Sequence, residues 1–159
     1  MDNVNVMRTG FFAPDFSLPD TKGELFHLSE HLSGCFVCLC FFPDGDNDKV
    51  NSYLKDLNSG LPKTAAGLPV KIIGISPVRG SHLKELQEKY KITFPLLSDL
   101  KMAVSSRYYV INDSSSKPSV HFSIFVIDDT GIIRYRASEV AGLSRYNAEE
   151  FKVELSKLI

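Results

Sequence analysis

Nearly continuous apolar runs alternate along the chain with stretches in which apolar residues recur three or four positions apart. Residues 35–42 (CFVCLCFF) and 70–76 (VKIIGIS) are the clearest runs, and each predicts a strand buried on both faces of a sheet. The amphipathic stretches 49–58 and 81–90 predict helices, because their apolar side chains share one helical face. The remaining pattern predicts a short strand over 94–97, a short helix over 100–109, strands over 120–127 and 132–137, and a last helix over 147–158.

Local signals mark where several of these elements begin and turn. Asp128-Asp129-Thr130-Gly131 is a strong hairpin signal between the last two strands. Asn147 followed by Glu150 is typical of a capping box, and Glu85 and Lys89 stand one helical turn apart as a supporting pair. The order strand, helix, strand, helix, hairpin, helix implies right-handed crossovers around a largely parallel central pair. It predicts an α/β fold of the thioredoxin-like kind, a three-layer sandwich with a mixed central sheet flanked by helices.

Composition and charge narrow the class of protein. The 159 residues predict a single domain over 1–159, and contents of 43% hydrophobic and 23% charged residues are ordinary for globular proteins. A net charge of -1 predicts no general attraction to nucleic acid or to an anionic membrane. The longest apolar run, 35–42, is too short to span a bilayer, and residues 1–10 lack the apolar core of a signal peptide. We therefore expect a cytoplasmic protein with reduced thiols.

Three blocks of sequence resemble those of peroxiredoxins. They are residues 13–20 (APDFSLPD), residues 73–76 (IGIS) with 94–99 (FPLLSD), and residues 125–128 (FVID). From about Gly10 to the last residue the chain resembles the AhpC/TSA superfamily, and within it the bacterioferritin-comigratory-protein branch. The resemblance implies a thioredoxin-like fold and a thiol peroxidase, in which a cysteine thiolate at a helix N-terminus attacks a hydroperoxide and a second thiol resolves the sulfenic acid. It also implies a hydroperoxide and a thiol reductant as partners, and a homodimer, which an unpaired apolar patch near Phe42, Pro43 and Tyr53 would support.

The chain departs from the family pattern where the chemistry would occur. The family motif has proline, then Thr or Ser four residues on, then the reactive cysteine three residues later. These positions here hold Pro43, Asn47 and Val50. The usual arginine, a few residues before the FVID block, is also unmatched, since residues 120–124 read VHFSI. The resemblance therefore implies a degenerate active site without nucleophile, hydroxyl or thiolate-stabilising arginine.

All three cysteines, Cys35, Cys38 and Cys40, lie in the predicted strand 35–42. The C-x-x-C spacing of the first two is out of context, because redox pairs begin a helix and strand alternation sends these two side chains to opposite faces. Cys38 and Cys40 share a face, near the distance limit for a disulfide. We expect core packing, with Cys35 the most exposed. Two functions remain open: a degenerate peroxiredoxin kept as a binding, regulatory or dimeric module, and an oxidoreductase that uses Cys35, Cys38 or Cys40 unconventionally.

The acidic turn 44–48 (DGDND) has several interpretations. Its Asp44, Asp46 and Asp48 would oppose a nearby thiolate and would cap the following helix. The turn matches the first positions of a calcium loop, but Lys49 stands where glycine belongs and Lys55 where the closing glutamate belongs. We predict no metal site and no cofactor.

Overall fold

The computed structural model describes residues 6–64, 66–140 and 142–159; residues 1–5, part of the stretch predicted to lack a targeting signal, lie outside the described residues. The strands are β1 (Ser17–Pro19), β2 (Leu25–His27), β3 (Phe36–Phe41), β4 (Val70–Ser76), β5 (Leu96–Ser98), β6 (Ile111–Asn112), β7 (Ser119–Val120), β8 (Ser123–Ile127) and β9 (Ile133–Ser138). The helices are α1 (Asp48–Asn58), α2 (Gly80–Lys89), α3 (Ala103–Arg107) and α4 (Ala148–Ser156).

Strand β3 lies at the centre of a five-stranded mixed sheet with the order β5-β4-β3-β8-β9. It pairs in parallel with β4, which pairs in parallel with β5, and it pairs antiparallel with β8. The predicted central parallel pair is therefore confirmed, as is the late hairpin, in which β8 and β9 run antiparallel. This is the predicted thioredoxin-like α/β arrangement.

The sheet is covered on both faces, which makes the three layers. Helices α1, α2 and α4 cover one face, and the β1–β2 hairpin and α3 cover the other. All six residues of β3 are buried, so its alternating side chains fill both apolar layers. Within the described residues, no helix is long and apolar enough to cross a membrane.

The structure corrects the predicted pattern between residues 100 and 127. The helix predicted over 100–109 is confined to α3, and Met102, in a left-handed conformation at φ 58°, precedes it. The strand predicted over 120–127 is divided into β7 and β8, and the segment before it contains a further strand, β6, which pairs with β7. Two-residue strands are too short to produce a periodic pattern, so this small hairpin could not be predicted from the sequence.

Gly74 sits where β4 is packed too tightly for any side chain. A Cβ atom built there would lie 2.6 Å from Leu96 Cδ2 and 3.3 Å from Phe42 Cε1. The neighbours are buried side chains of the apolar layer under α1 and α2. The absence of a side chain at Gly74 thus leaves room for the side chains of Leu96, on the neighbouring strand β5, and of Phe42.

We predict that Gly74→Ala lowers the free energy of unfolding by about 1–3 kcal/mol, the usual cost of overpacking a core. Gly80→Ala is the matched control, because a Cβ there would meet only the Asp20 carbonyl oxygen at an ordinary 3.6 Å. Denaturant unfolding of both variants measures the difference. Equal stability of the two variants would contradict the packing argument.

Candidate functional site

Val50, at the position where the resemblance places the reactive cysteine, lies in the first turn of α1 directly after the loop that follows β3. Its side chain is fully buried in the apolar layer between α1 and the sheet. Its backbone N–H donates to Asn47 Oδ1 at 3.0 Å. The position that the family uses for a nucleophile therefore contributes to the core here.

Asn47 is the N-cap of α1, and its carboxamide oxygen satisfies one of the free N–H groups of the first turn. We expected an aspartate of the acidic turn to cap this helix, but the residue that accepts from the Val50 N–H is Asn47. The cap side chain stands three residues before Val50, where an oxygen acceptor has the correct reach. Asn47 thus serves the helix at the position where the family motif has a hydroxyl.

Asp46 instead ties the acidic turn to the far end of α2. Its Oδ2 accepts from Lys89 Nζ and its Oδ1 accepts from the Tyr90 hydroxyl, both at 2.7 Å. The hydrogen bond from Lys89, followed by that from Tyr90, lowers the pKa of Asp46, and the same contact raises the pKa of Lys89. The supporting pair predicted between Glu85 and Lys89 is wrong, because Lys89 forms its ion pair with Asp46.

The segment 120–124, where the resemblance places the thiolate-stabilising arginine, contributes an aromatic ring next to α1. The Phe122 ring packs edge-on against Tyr53, with 4.9 Å between centroids. A cation does approach: Lys49 Nζ lies 4.8 Å above the centre of the Phe122 ring, and it also pairs with Glu139. That cation is therefore already bound by a carboxylate at this corner of the fold.

Tyr53 has a structural role that the sequence did not predict, because its hydroxyl group forms hydrogen bonds inside the core. Its buried hydroxyl donates to the carbonyl oxygens of Phe41 and Ser123, both at 3.1 Å, and so links α1 to β3 and β8. Burial raises the pKa of Tyr53. The signal for this role in the sequence was a tyrosine among the aliphatic residues on the buried face of α1. Phe42, Pro43 and Tyr53 do not form the exposed apolar patch that would support a homodimer, since Phe42 and Tyr53 are buried and Pro43 is half-buried.

Every cysteine sulfur lies inside the core. Cys35 is 2% exposed, and its Sγ donates to the His31 carbonyl oxygen at 3.0 Å. Cys35 is the most exposed of the three cysteines, as expected, but it is still buried, and its sulfur lies against the last residue of the single turn of 3-10 helix Leu28–His31. Cys35 and Cys38 pack in different apolar layers, which confirms that they face opposite sides of the sheet.

Cys38 and Cys40 face the same layer, with 3.6 Å between their sulfur atoms. Both are free thiols, and the separation is far beyond the roughly 2.05 Å of a disulfide bond. Burial, and then the hydrogen bond with Cys38, raises the pKa of Cys40 well above its ordinary value. In the part of the chain that the structure describes, no three His, Cys, Asp or Glu side chains converge as a metal site would require.

The sequence is similar to those of bacterial peroxiredoxins named Bcp. The chain is 31% identical over 134 residues to a putative peroxiredoxin bcp of Coxiella burnetii, covering 80% of this chain and 85% of that protein. It is 29% identical over 146 residues to peroxiredoxin Bcp of Escherichia coli, covering 83% and 86%. The alignments thus span most of both chains.

Solved structures share the fold over nearly the full length. Peroxidoxin BcpB from Mycobacterium tuberculosis superposes with a TM-score of 0.80 at 26% identity, covering 94% of this chain and 96% of that one. PrxQ from Xylella fastidiosa, solved as a cysteine-to-serine mutant, superposes with a TM-score of 0.81 at 20% identity, covering 95% and 96%. The model of the AhpC/TSA family matches residues 9–136. The chain therefore belongs to the AhpC/TSA family of thioredoxin-like peroxiredoxins.

Proposed function

We propose that this chain is a peroxiredoxin-family protein without thiol peroxidase activity, retained in the cytoplasm as a binding or regulatory module. One observation carries the proposal: Val50, at the position where the family has its nucleophile, is a fully buried side chain of the core. Peroxide reduction by this family requires a thiolate sulfur that attacks the hydroperoxide and becomes a sulfenic acid. Valine offers no electron pair for that attack.

The charges around Val50 support the same conclusion. A reactive thiolate is stabilised by helix N–H groups and by a neighbouring cation. Here the Val50 N–H is occupied by Asn47, and Lys49 is paired with Glu139. The exposed Asp44 and Asp48 add negative charge at the start of α1, which would raise the pKa of a thiol placed there.

The alternative is an oxidoreductase that uses Cys35, Cys38 or Cys40. Such an enzyme needs a sulfur that a peroxide can reach, and reactive cysteines lie in partly exposed, electropositive surroundings. These three sulfurs are buried, and burial disfavours the thiolate of Cys40. The burial of the three sulfurs therefore supports a binding or regulatory module over an oxidoreductase.

For partners, members of the peroxiredoxin family act generally on hydroperoxides and thiol reductants. We propose that neither is turned over by this chain, and that nucleic acid and membranes are not partners, since the net charge is only -1. We also propose a homodimer. Its support is the exposed pair Phe11 and Phe12, at 47% and 72% exposure, which lies beside Ile132 next to the edge strand β9.

We predict that the native protein consumes hydrogen peroxide no faster than buffer when dithiothreitol or thioredoxin is the reductant. Val50→Cys alone is expected to stay at the same background, because the new sulfur would be buried beside the acidic turn. Val50→Ala is the matched control for loosened packing, and an active peroxiredoxin is the positive control.

Two outcomes of the peroxide assay would contradict the proposal. One is turnover by the native chain that Cys35→Ser or Cys38→Ser abolishes. The other is peroxide-dependent oxidation of Val50→Cys at a near-catalytic rate, while Val50→Ala stays inactive.

We predict that none of the three thiols reacts with Ellman's reagent in the native protein, and that all three react after denaturation. The reagent must reach the sulfur atom, and burial of the three side chains prevents this. Time-resolved titration with and without guanidinium chloride measures the difference. Rapid native reaction of even one thiol would favour the oxidoreductase instead.

We predict that replacing both phenylalanines, Phe11→Ser with Phe12→Ser, converts the homodimer to a monomer in sedimentation velocity. Leu25→Ser is the matched control, because Leu25 is also exposed, at 61%, but lies on β2. A native chain that sediments as a monomer would refute the dimer. A double variant that stays dimeric would refute this surface.

A further inference from the structure

A cleft of about 410 Å³ opens between the loop that follows β3 and helix α2. Its wall and floor are apolar, with Phe42 and Leu83 buried beneath it and Pro43, Val78 and Leu86 at its sides. Val50 does not line it, so the cleft is distinct from the position of the family's nucleophile. Its volume and apolar lining, with a few polar groups, are those of small-molecule sites.

The rim of this cleft is negatively charged. Asp44, Asp46 and Glu85 supply three carboxylates, and Lys89 supplies one ammonium. Lys89 is bound to Asp46, so that pair is neutral. Among the described residues, neither Asp44 nor Glu85 forms an ion pair. Two uncompensated carboxylates therefore face an apolar hollow, with His82 as the remaining titratable lining residue.

A second feature lies on β4, outside the residues that line the cleft. The Ser76 hydroxyl is fully buried and has no hydrogen-bond partner. Strand alternation places it on the same face of β4 as Gly74, the face that contacts Phe42. A buried polar group without a partner is costly, but Ser76 does not line the cleft and would not contact a ligand there.

We propose that the cleft binds a small organic cation, an ammonium group carried on an apolar body. The apolar body would cover Phe42 and Leu83, and the ammonium would remain at the rim, near Asp44 and Glu85, without complete loss of its hydration. The rim repels carboxylates and phosphates, so the charge selects the ligand class. This inference rests on the proposed binding role and gives that role a ligand chemistry.

The charge of the cleft is opposite to what thiol peroxidase chemistry favours. A thiolate is an anion and gains from positive surroundings, whereas the acidic turn makes this corner of the fold attractive to cations. Asp46 is held in place by Lys89 and Tyr90, so the turn is fixed against α2. The turn therefore forms one wall of a preformed cleft.

The test uses three probes of the same shape that differ in charge: phenylbutylammonium, phenylbutanol and phenylbutyrate. Each is titrated into the full chain at low salt, and binding is followed by calorimetry and by NMR shifts of residues that line the cleft. We expect phenylbutylammonium to bind about ten-fold more tightly than phenylbutyrate, with phenylbutanol between them, as two partly exposed carboxylates would produce. The preference should shrink at high salt.

The variant Asp44→Asn with Glu85→Gln should reduce the ammonium-over-carboxylate preference to about two-fold or less. Glu88→Gln is the matched control, because it removes one exposed carboxylate of α2 that does not line the cleft, and it should keep the preference. Both variants change only exposed side chains, and thermal unfolding verifies that they fold.

Three outcomes would overturn the cation site: equal binding of the ammonium and carboxylate probes, binding of none of them, or the same loss of preference in Glu88→Gln. Peroxide consumption measured on the same samples distinguishes this failure from failure of the proposed function. Peroxide turnover by the native chain would overturn the absence of peroxidase activity, whatever the probes show. A charge-dependent preference confined to Asp44 and Glu85 would support the site.

Discussion

Strand β3 is enclosed on every side, by β4 and β8 along its edges and by apolar layers on its two faces. A chain in this position has no polar face, so cysteine is used there as a small apolar side chain. The same enclosure keeps water and peroxide from the sulfur atoms and makes a thiolate costly. Thiol chemistry in this fold therefore depends on what stands outside the strand, at the start of α1.

The start of α1 is a well-packed part of the fold, at the position where the resemblance to the family motif places the reactive cysteine. Val50 adds an apolar side chain to the layer above β3, and Asn47 caps the helix. Tyr53 then links the helix to β3 and β8 through its hydroxyl. Each of these contacts favours a closed, well-packed first turn, whereas an active thiol site requires an open one that a peroxide can enter. Stability and the absence of a nucleophile thus arise from the same packing.

The sequence predicted the parts of the molecule that depend on local pattern. The apolar runs of β3 and β4 predicted the central strands, and the resemblance to the family motif that begins at Pro43 placed Val50 where the reactive cysteine would be. Contacts of individual side chains outside the periodic pattern could not be predicted. Cys35 is covered by the turn Leu28–His31, and Lys89 pairs with Asp46 rather than with its helical neighbour Glu85. Such choices depend on tertiary packing, which no periodicity encodes.

We propose that no cysteine sulfur of the folded chain can be oxidised by peroxide as a peroxidase cysteine is. The most direct measurement exposes the native protein to stoichiometric hydrogen peroxide with dimedone, which traps sulfenic acids, and then records the intact mass. The account predicts no dimedone adduct before unfolding, since all three sulfurs are buried. A dimedone adduct on Cys35, Cys38 or Cys40 of the folded protein would contradict it.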